Sequence, residues 1–145
     1  NKKEDGILVS QKVLLTWLIE SEEIFHQIEK YITPEDFSEG LFRKVAELLY
    51  EQYEKHEANP AQIMNHFTDE EEHREVAGLF HTKIKELTTV KEQEKALQET
   101  ILRVKEHSIE EATKNLDPTD IQGLQRLMNE KRKMQDLRTL HISIN

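Results

Sequence analysis

Residues 13–50 read VLLTWLIESEEIFHQIEKYITPEDFSEGLFRKVAELLY, and this stretch decides the fold. Its apolar side chains recur every three or four residues in three runs, and short polar turns separate the runs. This spacing is typical of amphipathic helices that pack one face into a shared core. We predict helices over residues 10–20, 22–31 and 39–53, with Trp17 and Phe25 in the core.

The three prolines predict where further helices begin. Each follows a residue that can accept hydrogen bonds from free helix N–H groups, in the pairs Thr33-Pro34, Asn59-Pro60 and Asp117-Pro118. Proline suits the first helical position because its φ is already helical. We therefore expect a single helical turn after Thr33, a short helix after Asn59 and a long helix after Asp117. By the same capping argument Ser10 begins the first helix.

A fifth helix is expected from about residue 69. It would direct Val76, Leu79, Phe80, Ile84 and Leu87 inward, and a close helix crossing would explain Gly78 within it. After residue 87 the apolar stripe narrows while Lys and Glu crowd the other faces. Two long helices, 89–115 and 118–140, would be joined by the Asp117-Pro118 turn as an antiparallel hairpin.

The predicted fold class is therefore all-α, a compact helical bundle followed by a C-terminal antiparallel helical hairpin. We place the bundle in residues 1–88 and the hairpin in residues 89–145. No Gly/Ser linker separates them, so a helix is expected to continue across the boundary. The bundle is expected to fold without the hairpin.

Composition excludes several classes of protein. The chain has 145 residues and no cysteine, so it has neither a disulfide framework nor a thiolate metal site. No apolar run approaches the roughly 20 residues of a membrane helix. Residues 1–88 carry 10 basic and 19 acidic side chains, whereas residues 89–145 carry 10 of each. The bundle should therefore repel nucleic acid. We expect a cytoplasmic protein, and the first residue, Asn1, suggests a segment of a longer chain.

No motif for catalysis or cofactor binding is present. The four glycines are isolated, so no phosphate-binding loop is predicted. The best metal candidates are His73 and His81 with the acidic run 70–72, but histidines eight residues apart are too distant to share one ion. The acidic run is better explained by the positive end of a helix. We predict no catalytic, cofactor-binding or metal-binding residue and no enzymatic activity.

The last helix carries apolar residues on more than one face, which indicates that some contact a partner protein. Basic residues between them would add steering and specificity, and the methionines are adaptable on binding surfaces. The candidate partner-binding residues are Leu124, Leu127, Met128, Lys131, Arg132, Met134, Leu137, Arg138 and Leu140. The tail over residues 140–144 alternates apolar and polar residues, as either a frayed end or a docking segment.

The order of these segments resembles the N-terminal domain of bacterial replicative helicases. The resemblance rests on Val13-Leu14-Leu15, the helix 24–32, Asp36-Phe37 before a turn, and Phe42 at the start of the third helix. The C-terminal helicase-binding domain of bacterial DNA primase has the same fold followed by a helical hairpin. The whole chain is similar to this primase domain.

The resemblance implies a protein-interaction module without polymerase activity of its own. It would bind the N-terminal domains of the hexameric replicative helicase, recruit primase to the replication fork, and modulate both activities. The fragment alone would be a monomer, bind nucleic acid weakly and not associate with membranes. The alternative from the same resemblance is the N-terminal collar of the helicase itself. A separate enzyme or nucleic-acid binder has no residue set in its favour.

Overall fold

A computed structural model describes residues 2–81 and 88–144, with only the backbone at residues 2–5 and 81. The described residues are helical or irregular and include no strand, so the all-α prediction is confirmed. Single 3₁₀ segments span Pro34–Asp36 and Pro60–His66. The α-helices are α1 (Lys2–Glu20), α2 (Glu22–Ile28), α3 (Leu41–Glu54), α4 (Glu70–His81), α5 (Val90–Lys114) and α6 (Ile121–Thr139).

Helix α1 begins eight residues earlier than Ser10, so the prediction that Ser10 caps it was wrong. The Ser10 hydroxyl instead donates to the carbonyl of Gly6, 3.1 Å away in the preceding turn. A serine satisfied in this way can lie inside a helix. The next residue, Gln11, is buried and its amide exchanges two hydrogen bonds with Ser38, which fixes α1 against the loop before α3.

The second arm of the hairpin begins later than predicted, whereas the first arm ends where it was expected to end. The carboxylate of Asp117 accepts from the backbone N–H of Thr119 at 2.9 Å, and α6 begins only after Asp120. Asp120 is the N-cap and accepts from the N–H of Gly123 at 2.9 Å. Pro118 therefore belongs to the turn and does not begin the helix. A Cβ at Gly123 would lie 2.5 Å from the Asp120 carboxylate, so glycine suits this capped turn.

No helix continues across the predicted boundary at residue 88. Thr88 is in a bend, and the Thr89 side chain caps a new helix by accepting from the N–H of Glu92 at 3.1 Å. A capping residue with extended backbone ends continuity with any preceding helix. The predicted inward residues Ile84 and Leu87 lie outside the described part of the chain.

The centre of the bundle is aromatic. The Phe25 ring contacts Tyr50 and Tyr53 with centroids 4.8 Å apart in both pairs. Each tyrosine hydroxyl donates to a backbone carbonyl, Tyr50 to Ile32 at 2.7 Å and Tyr53 to Leu18 at 2.5 Å. Burial raises the pKa of Tyr53 to about 12, so both phenols stay neutral donors at ordinary pH. Phe25 and Trp17 are core residues, as predicted.

Helix α5 completes the bundle instead of standing apart from it. Its residues Leu97, Ile101 and Val104 are buried in the same core as Leu14 and Leu18 of α1. The two helices pack along each other more extensively than any other pair among the described residues. One core therefore spans the predicted boundary at residue 88, and the division into two domains stays a prediction. A chain ending at residue 88 would lack these three side chains of the core.

The described part of the chain gives no sign of a close helix crossing at Gly78 in α4. A Cβ there would meet only the amine of Lys12, at 4.0 Å, among the described residues. An ordinary van der Waals contact with a flexible amine does not require glycine. Within the described residues no close crossing accounts for Gly78, and the inward direction of Val76 and Leu79 in the same helix is confirmed.

Candidate docking surface on the hairpin

Three large apolar side chains of α6 face solvent near the turn of the hairpin. Ile121 is 71% exposed, Met128 61% and Leu124 39%. Their spacing of three and then four residues places them on one face of the helix. We call this set the tip stripe. A contiguous exposed apolar stripe is typical of a surface that binds another protein.

The opposite face of α6 is buried. Leu127 is 8% exposed, Met134 6% and Leu137 0%. These three were candidate partner-binding residues, and that interpretation was wrong because they lie inside the chain's own fold. Their spacing of seven and three residues forms the seam that packs on α5, and Leu137 also joins the core of the bundle.

The other candidates remain on the surface to different extents. Leu124 and Met128 belong to the tip stripe, and Lys131, Arg132 and Arg138 are exposed on α6. Leu140 is half-buried against the core, so it is a minor candidate.

Arg126 adds another exposed cation and lies 3.8 Å from the Asp120 carboxylate. The exposed part of α6 therefore combines an apolar stripe with a mainly basic surface, while the bundle is acidic.

The end of α6 and the tail are attached to the bundle by polar contacts to the backbone. The Gln98 amide donates to the carbonyl of Leu137. The Gln27 amide donates to the carbonyl of Ser143 and accepts from its N–H, both at 2.8 Å. Glu94 accepts from the N–H of Ile144 at 2.9 Å. The tail is thus docked on its own chain, with the Ile142 side chain in the core.

A group of buried charges connects the bundle to both arms of the hairpin. The ammonium of Lys105 in α5, 0% exposed, lies 3.2 Å from both carboxylate oxygens of Asp36. It also donates to Glu130 of α6 at 2.8 Å. Ser108 donates to Asp36 at 2.7 Å, and Lys133 lies 3.0 Å from the second oxygen of Glu130. We call these five residues the charge cluster.

The ionisation of Glu130 reflects two opposing effects. Burial raises its pKa, but the hydrogen bonds from Lys105 and Lys133 lower it more, so the net pKa lies below the ordinary glutamate value. Glu130 is therefore a carboxylate at neutral pH. With Asp36 it balances the two ammonium groups, which makes the charge cluster neutral overall.

Sequence reasoning missed both Ile121 as a surface residue and the charge cluster. Ile121 fits the apolar pattern of α6 equally well as a core residue. Lys105 has a recognisable signal, because it lies four residues after Ile101 and eight after Leu97, on the buried stripe of α5. A lysine at such a position indicates a buried partner of opposite charge. The partner, Asp36, is 69 residues away, and no local pattern identifies it.

The structure offers no metal centre in the part that it describes. Residues 2–81 and 88–144 contain no group of three or more His, Asp or Glu that could hold an ion. The side chain of the metal candidate His81 lies outside the described residues, and His73 is exposed in α4. No described helix is long and apolar enough to cross a membrane. The lack of enzymatic activity and of cofactors stays a prediction.

Comparisons of the chain with models of protein families, with curated protein sequences and with solved structures found no match.

Proposed function

We propose that this chain is the helicase-binding domain of a bacterial DNA primase, and that it binds the N-terminal domains of the hexameric replicative helicase through α6. The tip stripe is the observation that carries the proposal. Ile121, Leu124 and Met128 expose apolar surface that the fold has not used, although the same helix buries three other apolar residues. Covering this surface is favourable by about 25 cal/mol per Å² of apolar area.

The chemistry of α6 indicates what kind of surface it fits. An apolar helix face with anchors three and four residues apart suits a groove between two helices of a partner. The exposed cations Lys131 and Arg132, three and four residues after Met128, lie on the same side of α6 as the stripe and favour acidic groups at the rim of that groove. A stable complex needs about 1,200–2,000 Å² of total buried area, so the stripe would form the centre of a larger contact.

The hairpin also presents this surface at a low entropic cost. The charge cluster and the contacts of Gln98 and Gln27 hold the remainder of α6 on the bundle. A preorganised surface loses less freedom on binding than a flexible one. The bundle would therefore act as a platform that orients the hairpin, in addition to modulating the activities of primase and helicase.

The proposed role places primer synthesis at the replication fork in the bacterial cytoplasm. The chain would contribute attachment, while the polymerase chemistry belongs to the rest of the primase. The acidic bundle, with 19 acidic against 10 basic residues in positions 1–88, agrees with binding to a protein and not to DNA.

Sedimentation velocity with a bacterial hexameric replicative helicase tests the proposal. We expect the wild-type chain to co-sediment with the hexamer and Met128→Asp to bind at least about tenfold more weakly, a loss of about 1.4 kcal/mol. Asn129→Asp is the matched control, because it adds the same charge to the next exposed position of α6 outside the tip stripe. It should change the affinity less than about threefold, or about 0.65 kcal/mol.

Equal affinity for Met128→Asp and wild type would overturn the use of the tip stripe. No co-sedimentation of the wild-type chain would overturn the proposed function. If the chain formed a ring-sized oligomer without helicase, the alternative role as the collar of the helicase itself would be correct.

A further inference from the structure

The charge cluster presents an energetic problem that stability alone does not explain. Lys105 and Asp36 are almost completely buried, at 0% and 3% exposure. Removing an ammonium and a carboxylate from water is costly, and apolar residues of similar volume often give equal or greater stability at such sites. The cluster has one property that an apolar contact lacks, because its hydrogen bonds are satisfied in only one arrangement of the three elements that it joins.

The contacts of the cluster are divided unequally between those elements. Asp36 accepts from Lys105, from Ser108 and from the N–H of Thr33 at 2.8 Å, so among the described residues the hydrogen bonds to its carboxylate come from α5 and from its own turn. The bond from Lys105 to Glu130 is the one that reaches α6. The ion pair of Lys105 with Asp36, which we call the inner pair, thus attaches α5 to the turn before α3. The ion pair of Lys105 with Glu130, the outer pair, attaches α6 to α5.

The outer pair lies where it can fix the direction in which the tip stripe faces. Glu130 is two residues after Met128, the last residue of the tip stripe. Its ion pair with Lys105 therefore holds α6 close to that stripe. Between Glu130 and the turn, the contact of α6 with α5 depends on Leu127 and Gly123. A thin apolar seam of this kind permits sliding and rolling, whereas a hydrogen-bonded ion pair fixes register.

We propose that Lys105, Asp36 and Glu130 are positioning residues that fix the direction in which the tip stripe faces relative to the bundle. Lys105 bridges the turn at Pro34–Asp36 and α6, so one buried ammonium links the bundle to the part of α6 that directly follows the tip stripe. The consequence for docking rests on the proposed function, but the orientation itself is a property of the isolated chain.

Electron spin labels measure that orientation directly. The chain has no cysteine, so labels attach only at introduced sites. Glu47 on α3 and Gln125 on α6 are exposed and report the position of the tip relative to the bundle. Glu47 with Glu99 on α5 gives a reference pair that should not change. We expect one narrow distance distribution for both pairs in the otherwise wild-type chain.

Glu130→Leu is the deciding variant, because it keeps the side-chain volume and leaves Lys105 paired with Asp36. We expect the tip distance to broaden or acquire a second population while the reference distance stays the same. Glu130→Gln should stay close to wild type, because its amide oxygen still accepts from Lys105. Glu111→Leu is the control, since it removes an exposed ion pair, with Lys114 at 3.6 Å, and should leave both distributions unchanged.

A narrow, unshifted tip distance in Glu130→Leu would overturn the proposal. Lys105→Met gives a second test that does not depend on α6 alone, because it removes the bridge and leaves two carboxylates facing each other. Its tip distance should change more than that of Glu130→Leu. If Lys105→Met does not fold, the Glu130 variants decide.

Binding to the helicase tests the functional consequence separately. If only a third to a tenth of Glu130→Leu molecules present the stripe correctly, the apparent Kd should rise by about three- to tenfold. A changed tip distance without helicase binding by any variant, including wild type, would refute the proposed function and keep the positioning role. An unchanged distance with normal binding would refute the positioning role alone.

Discussion

The two ends of α6 belong to one helix but are built in different ways. The root of the hairpin, residues 130–144, combines buried apolar residues with specific polar contacts, through Glu130, Leu137 and the tail. The tip, residues 117–128, has a capped turn, two buried residues and the exposed tip stripe. Contacts at the root therefore stabilise the hairpin, whereas the apolar surface of the tip stripe stays exposed and does not contribute to folding.

This difference shows why hydrophobicity alone does not identify a binding surface. Leu137 and Met128 are both apolar residues of α6, yet one is fully buried and the other is 61% exposed. The position of α5 decides between them, because it covers one face of α6 and leaves the other open. A substitution at the root should thus reduce stability, and one at the tip should reduce association.

The largest expected effect comes from truncating one residue of each type. Leu137→Ala should lower the free energy of unfolding by about 2–5 kcal/mol, because it removes buried methyl groups and leaves a cavity. Met128→Ala is the matched substitution at the tip and should stay within about 0.5 kcal/mol of wild type. Urea denaturation, monitored by circular dichroism, measures the free energy of unfolding of both variants. Equal losses would mean that the tip stripe is packed in solution.

An intermediate effect is expected where the tail meets the bundle. Gln27→Ala removes two hydrogen bonds to the backbone of Ser143, each contributing about 0.5–1.5 kcal/mol. We expect faster hydrogen exchange at Ser143 and Ile144 and a loss of about 1–3 kcal/mol in unfolding free energy. Gln125→Ala, in an exposed position at the tip, is the control and should alter neither. Unchanged exchange in Gln27→Ala would show that the tail is not held in this way.

The smallest effect concerns acid pH. The folded-state pKa of Glu130 lies below the ordinary value, so the unfolded chain binds the proton more readily. Its contribution to stability is therefore present above the pKa of the unfolded state and is lost as the pH falls through the folded pKa. Glu130→Gln should flatten the decrease in stability below about pH 5. Urea midpoints between pH 7 and about pH 3 measure this, and parallel curves for both proteins would contradict it.

The sequence was sufficient for the helices and for much of the core. Periodic spacing identified the inward faces of α2 and α3, because residues three or four apart share a face whatever they pack against. Capping residues were less reliable. The Ser10 hydroxyl donates to a carbonyl inside a helix and caps nothing. Asp120, and not Asp117, caps α6.

The candidate site needed information that no local pattern contains. Leu127 and Leu124 are three residues apart in one amphipathic helix, and only the placement of α5 shows that the first is buried and the second exposed. The pairing of Lys105 with Asp36 likewise depends on the packing of distant elements. Lys131, Arg132 and Arg138 lie on the surface, as expected, because exposed lysine and arginine are the rule.

The side-chain amide of Gln27 contacts only the backbone of Ser143, so this contact depends on the position of a residue in the tail and not on its side chain. Many residues other than proline would satisfy position 143, while position 142 must supply an apolar side chain to the core. Substitutions at 143 should be tolerated. A single-residue insertion between Thr139 and Ile142 would displace every later contact at once.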